Sequence, residues 1–269
     1  MTFQKTLKIY TPFAKSEIQR FMVYRIRFFI WVLTGYLYTL INYFLWRAIF
    51  NSTGTGLMSG FSFRDMVVYI LMIHAVSRMT NSPAGQYIGR EVQDGSIAMS
   101  LIRPISYSTR LFFCAIGQNL FSTVVGNGLF FLIVGVFFYD VTSVSYILLF
   151  LVSVFLSFAI SHFFNICFAM FSFYTTYVWG LQMLKNALLR FLSGMIIPFA
   201  FLPGGLGRFF ELLPFAGLGY TPVMIFLGKY QGNELLLFMG LQVFWALFFC
   251  GLSMLLWRWA IKRLTILGG

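Results

Sequence analysis

Four stretches of the chain, Phe28 to Phe50, Leu111 to Phe138, Ser145 to Phe171 and Glu234 to Trp257, each run through more than twenty residues dominated by apolar side chains. A helix needs about 20 such residues to cross the hydrocarbon core of a bilayer. A water-soluble domain of 269 residues has no use for the 59% hydrophobic content and mean hydropathy of +0.84 found here. The ten-residue alternation of a membrane barrel is absent, so the spans are expected to be helices. The expected fold is all-α, polytopic and single-domain, over residues 1–269.

Two weaker spans complete the set. Met66 to Thr80 is short and contains His74 and Arg78. A fifth begins near Leu188 and is interrupted by Pro198, Pro203-Gly204-Gly205, Pro214 and Pro222, which break helices. Taking Leu206 to Leu227 as a full crossing would put Arg258, Lys262 and Arg263 on the opposite side from the other basic segments. Residues 198–230 therefore read as short outer re-entrant helices, with Arg208 and Glu211 spaced to pair. The count is six spans with both termini on one side.

The net charge of +12 raises the question of a nucleic-acid partner. Fifteen of the 19 basic residues fall in the N-terminal segment, the central loop, the stretch around Lys185 and Arg190, and the tail, accompanied only by Glu17, Glu91 and Asp94. The intervening segments are neutral. This alternation is the positive-inside pattern of a membrane protein and argues for no nucleic acid. It makes the basic segments and both termini cytoplasmic.

Residues 1–27 hold six basic residues and no cleavable apolar core, which excludes a signal peptide. Thr11-Pro12 reads as a helix start, leading into an amphipathic helix that lies on the membrane surface, with Ala14, Ile18, Phe21 and Met22 along one face. The link Asn51 to Phe63 reads as a flexible loop, a short turn is expected around Asp140, and Ser172 to Arg190 reads as an inner link. Ser82 to Tyr107 is the longest polar passage, within a cytoplasmic loop of residues 81–110. There Ser82-Pro83 opens a helix of about three turns that Asp94-Gly95 closes, with Arg90 and Glu91 on its polar surface and Arg103-Pro104 beyond.

Two polar stripes recur at spacing four: Thr34, Tyr38 and Asn42 in the first span, Asn119, Thr123 and Asn127 in the third. Lipid offers such groups no partner, so they face other helices or a passage. Helix–helix hydrogen bonding explains them as well as a substrate pathway does. His74 and His162 are expected to be bonded inside the bundle rather than to hold a metal or haem. Cys114, Cys167 and Cys250 lie in apolar runs and read as packed thiols. Gly228-Lys229-Tyr230 lacks the surrounding glycine and hydroxyl of a phosphate-binding loop, and no hydrolase or dinucleotide fingerprint occurs. No catalytic site, cofactor or metal is expected. A secondary transporter would place acids at the centre of a span, and none of the seven acids lies there.

EVQDGSIAMSLIRPISY at Glu91 to Tyr107, and PFAFLPGGLGRFFELLPFAGLGYTPVMIFLG at Pro198 to Gly228, resemble the ABC-2 type permeases of bacterial ATP-binding-cassette transporters. The tail with Gln242, Trp245, Trp257 and the closing Leu267-Gly268-Gly269 resembles a subgroup whose permeases are often encoded in pairs. The resemblance implies a type V exporter-like architecture in the bacterial plasma membrane. It also implies a separate ATPase carrying ATP and magnesium, and a second permease, identical or paralogous. Arg90 to Ile105, with Arg90, Glu91, Asp94 and Arg103, then corresponds to the region that meets the ATPase. Substrate would pass between two bundles, along surfaces including the two stripes. Export of an amphipathic or hydrophobic compound is the first expectation. Import of a hydrophobic ligand such as haem, or an ATP-independent secondary transporter, are the alternatives.

Overall fold

The computed structural model describes residues 3–54, 56–138, 144–175 and 178–262. The turn expected around Asp140, the basic Arg263 and the closing residues from Leu267 lie outside them. In order come α1 (Phe3–Val23), α2 (Arg25–Thr53), a small hairpin of β1 (Leu57–Met58) and β2 (Phe61–Ser62), α3 (Phe63–Met79), α4 (Ala84–Gln93), α5 (Ile97–Leu101), α6 (Tyr107–Phe121), α7 (Gly128–Phe137), α8 (Val144–Ala169), α9 (Val178–Leu192), α10 (Leu206–Leu212), α11 (Tyr220–Phe226) and α12 (Gly232–Ile261).

Among the described residues, three helices are long and apolar enough to cross a membrane: α2, α8 with its extension to Phe173, and α12. A fourth candidate is α6 with α7, joined by a π-helical turn at Ser122–Gly126 and bent by 49°. The third span is thus broken where a continuous helix was expected. Helices α3 and α9, with 17 and 15 residues, reach only about 25 and 22 Å at 1.5 Å per residue.

Helix α3 forms the centre. Val68, Met72, Ala75 and Val76 are fully buried, packed among α2, α7, α8 and α11. It starts on a capping box: Ser62 Oγ accepts from the Asp65 N–H and Asp65 Oδ2 accepts from the Ser62 N–H, both at 3.1 Å. The preceding link is not a flexible loop. Ser59 and Gly60, with φ of 47° and 78°, form the tight turn that two positive-φ residues specify. Lys229 Nζ fastens it to the Gly60 carbonyl and to Asp65, each at 2.8 Å.

Two further expectations are corrected. Helix α1 runs from Phe3 straight through Pro12 instead of starting there, because Tyr10 anchors the turn before the proline. Its hydroxyl accepts from the Ser106 N–H at 2.7 Å and its ring stacks on Phe113. Helix α1 then lies along α6, so close that a Cβ on Gly117 would meet the Ala14 carbonyl oxygen at 2.2 Å. The link Ser172 to Arg190 is mostly helix α9, which begins ten residues before the expected fifth span; its Lys185 is drawn inward by Asn165 of α8. After it, residues 194–230 fold into short helices and 3-10 turns, as the prolines demand. The Arg208–Glu211 pair forms at 3.1 Å, with Glu234 joining at 3.1 Å. Apolar side chains stay exposed along the outer faces of α2 and α12, among them Leu37, Ile41, Leu247 and Leu255, as lipid contact requires.

Candidate functional site

The loop between α3 and α6 folds as one unit docked on the bundle. Ser82 Oγ accepts from the Ala84 N–H at 3.4 Å and shares a hydrogen bond with His162 Nδ1 at 2.9 Å, which ties the start of α4 to α8. The apolar face of α4, Ala84 and Ile88, packs on Ile166, Ala169 and Met170. Gly85 allows this approach, since a Cβ there would lie 3.0 Å from the Asn165 carbonyl oxygen. Helix α4 ends at Gln93, capped by Asp94 with Gly95 at φ 75°.

Sequence reasoning singled out four residues in this loop, and they occupy different settings. Glu91 is turned inward: Oε2 accepts from the Tyr107 hydroxyl at 2.9 Å and Oε1 from Arg110 Nη2 at 2.7 Å. Tyr107 in turn stacks on Trp257 at 4.9 Å. Glu91 therefore latches α4 to the start of α6. Asp94 is exposed, and its hydrogen bonds from Ser96 hold the carboxyl below its ordinary range. Arg103 is exposed at the tip beside Met99 and Ile102, apolar side chains 64% and 73% exposed on a segment outside every candidate span. Arg90 points to a cavity.

Sequence reasoning treated Glu17 only as a nearby acid. It is buried on α1, accepts from the Tyr87 hydroxyl of α4 at 2.6 Å and pairs with Arg20 at 2.8 Å. Burial and the Glu17 carboxylate raise the Tyr87 phenol above its ordinary value, so it stays a donor. Helix α4 is thereby tied to α1, α6 and α8 together.

Two adjoining cavities of about 390 and 320 Å3 open beside α4. The first lies between the α1–α2 junction (Arg20, Tyr24, Arg27, Phe28, Trp31), α4 (Gln86, Tyr87, Arg90), α6 (Gln118) and the start of the π turn (Ser122). The second lies between the end of α3, α8 (Ser161, Asn165), α9 (Lys185, Asn186, Arg190) and the Leu218–Gly219 turn. Trp31, Arg78, Asn81 and Gln86 line both. No aspartate or glutamate among the described residues lines either.

Arg78 stands where they meet. Its Nη1 donates to the Gly126 carbonyl at 2.6 Å and Nη2 to the Val32 carbonyl at 3.2 Å. Its guanidinium lies 5.0 Å from the Trp31 ring centroid and 5.3 Å from that of Tyr36. Gly35 makes room for it: a Cβ there would overlap Nη2 at 1.9 Å. Arg78 thus holds the π turn of the broken span against α2. A lone arginine in an apolar helix was the signal for it, although the sequence alone assigned it no role.

None of the six stripe residues lines these cavities. Thr34 is exposed and bonds its own helix at the Ile30 carbonyl, 2.8 Å away. Tyr38 lies on the α2 surface with its ring 5.1 Å from His74. Asn42 is buried and donates to the Tyr38 carbonyl at 2.8 Å. In the second stripe the π turn splits the face. Asn119 is buried at the end of α6 with no hydrogen bond from its amide among the described residues. Thr123 sits in the π turn. Asn127, at the bend, donates to the Ala75 carbonyl at 2.9 Å. Among the described residues no three His, Cys, Asp or Glu side chains are grouped to hold a metal ion.

By the length and apolar composition of its helices this is a membrane protein. The chain belongs to the ABC-2 family of transporters: the family described as "ABC-2 family transporter protein" matches residues 36–268, so that α1 precedes the matched region. No curated protein and no solved structure matches the chain. The chain is accordingly a permease subunit, in a family whose members are served by ABC ATPase subunits.

Proposed function

We propose that this permease works in the bacterial plasma membrane as one half of a pair, identical or paralogous, and exports an amphipathic substrate. Six crossings, with α3 and the α9 region completing the four longer spans, bring both termini and the α4–α5 loop to the cytoplasm. A separate ATPase, carrying ATP and magnesium, drives it by pressing on that loop. Residues 198–230 lie at the outer leaflet. The outward face of α2 with Thr34 and Tyr38 is where the second permease closes the passage.

One observation carries this reading. The tip of the loop presents Met99 and Ile102 to solvent, flanked by Arg103 and Asp94, while the base of the same loop is tied to three helices. Exposed apolar side chains ringed by polar ones mark a protein contact. A push at such a tip moves α4, and with it Arg90 and Gln86 in the chamber wall. Asp94 and Arg103 are the charges that flank that contact; Arg90 faces the chamber and Glu91 acts within the loop.

The test is Met99→Asp combined with Ile102→Asp. Membrane insertion stays normal, because neither side chain is buried, while the ATPase no longer co-purifies and ATP-driven transport into inverted vesicles stops. Full ATPase recovery and full transport in this variant would rule the docking role out.

A further inference from the structure

Buried charge is tolerated only when it is paired and hydrogen-bonded. Arg78 and Lys185 are 7% and 6% exposed, and among the described residues neither lies within ion-pair distance of a carboxylate. Their partners are neutral oxygens. Arg78 has two backbone carbonyls; Lys185 Nζ has Asn165 Oδ1 at 2.5 Å and Gln182 Oε1 at 2.7 Å. These bonds engage two donors on each group and leave its charge without a carboxylate.

Both groups line the joined cavities, where Arg20, Arg27, Arg90 and Arg190 add further positive charge. Among the described residues, only Arg20 of these four has an acid, Glu17, within ion-pair distance. The wall of the first cavity is aromatic, with Phe28 and Trp31. It continues past Tyr24 and Ile26 onto the exposed apolar face of α2. A basic pole and an aromatic wall that runs out toward lipid match a molecule with an anionic end and an apolar body.

We propose that the chamber takes the phosphate or carboxylate headgroup of an anionic amphiphile, which supplies the counter-charge that Arg78 and Lys185 lack. This inference rests on the reading of the chain as a permease, and it sets the substrate class. Lys185 is the better probe, because Arg78 also holds the bend between α6 and α7. Lys185→Gln removes the charge and keeps a hydrogen-bonding amide; Lys185→Arg keeps the charge.

The experiment measures equilibrium binding of dodecyl phosphate to the full-length protein in dodecyl maltoside, with inorganic phosphate as a second ligand. Removing one charge-assisted hydrogen bond from a site of this kind weakens binding by about tenfold or more. Dodecyl phosphate is expected to bind saturably, at least tenfold more weakly to Lys185→Gln, and with wild-type affinity to Lys185→Arg. Absence of saturable binding overturns the proposal, as does equal binding by Lys185→Gln. A Lys185→Arg variant as weak as Lys185→Gln shows that charge is not what is read, and also overturns it. Inorganic phosphate binding as tightly as dodecyl phosphate overturns the amphiphile and leaves a free anion. Transport is scored separately with the ATPase bound. ATP-driven movement of neutral compounds without dodecyl phosphate binding removes this site and keeps the permease reading. Binding without any ATP-driven transport does the reverse.

Discussion

Gly117→Ala tests the packing on which the α1–α4 connection depends. A Cβ at Gly117 would lie 2.2 Å from the Ala14 carbonyl oxygen and 2.7 Å from both its carbonyl carbon and its Cα. These are backbone atoms of a helix, so no side chain can swing aside. Non-bonded heavy atoms rest roughly 3.5 Å apart, which requires α1 and α6 to separate by about 1 Å. Overpacking of this kind costs about 1–3 kcal/mol. The separation also loosens the Tyr10–Phe113 stack at 5.6 Å and the Phe21–Phe121 stack at 5.4 Å. At about 1.4 kcal/mol per factor of ten, local opening of α1 becomes roughly 5–150 times more frequent. Hydrogen exchange of the protein in lipid nanodiscs reads this as faster exchange of the α1 amides, with α3 and α8 unchanged. Gly240→Ala is the control, because a Cβ there meets nothing within 4 Å. If α1 exchange is the same in Gly117→Ala as in the control, the two helices do not make this backbone contact.

Glu91→Gln and Arg110→Met form a double-mutant cycle across the latch between α4 and α6. The pair is half-buried, so a coupling of about 1 kcal/mol is expected after solvent screening; the readout is thermal unfolding, and a coupling of zero refutes the latch. Gln242→Leu removes bonds to Ser153, Ser157 and the Gly217 carbonyl at 2.8, 3.1 and 3.0 Å. It should cost about 1–3 kcal/mol and lower Tm by about 2–12 °C; an unchanged Tm would show that this network does not bind α12 to α8.

The apolar runs made four of the longer elements legible, and their boundaries agree with α2, the α6–α7 pair, α8 and α12 to within a few residues. Short-range chemistry was legible as well: Asp94-Gly95 ends α4, and Arg208 meets Glu211. What spacing could not reveal was where a run breaks. Residues 111–138 read as continuous because a π turn needs no proline or charge, only backbone carbonyls that find partners elsewhere. Those partners are Arg78 and Tyr36, which are distant in sequence. Thr11-Pro12 failed as a helix start for the complementary reason: a tertiary anchor at Tyr10 outweighs one missing N–H. The chamber was illegible because it draws on α1, α2, α3, α4, α6, α8 and α9, and no local pattern spans them.

The breaks also explain which polar residues are left for function. In an apolar medium a carbonyl released by a helix break must find a donor within the protein. Gly126 in the π turn receives Arg78 and Tyr36, and Gly217 in a 3-10 turn receives Gln242 and Ser157. Gly194, just past α9, receives Tyr69 at 2.8 Å, and Gly60 in the hairpin receives Lys229. Stripe residues Thr34 and Asn42 return their donors to their own helix, and Asn127 serves Ala75. Most polar groups within the spans are thus engaged in holding an irregular backbone together, which is why a repeat of polar residues at spacing four is weak evidence for a passage. Around the cavities stand cations that no backbone break accounts for: Lys185, whose oxygens are side-chain amides, and Arg27, Arg90 and Arg190 at the rim. They converge on one chamber, and one of them sits on the helix that leads to the exposed tip. The positive charge of these four residues is gathered where a motion of α4 would alter it.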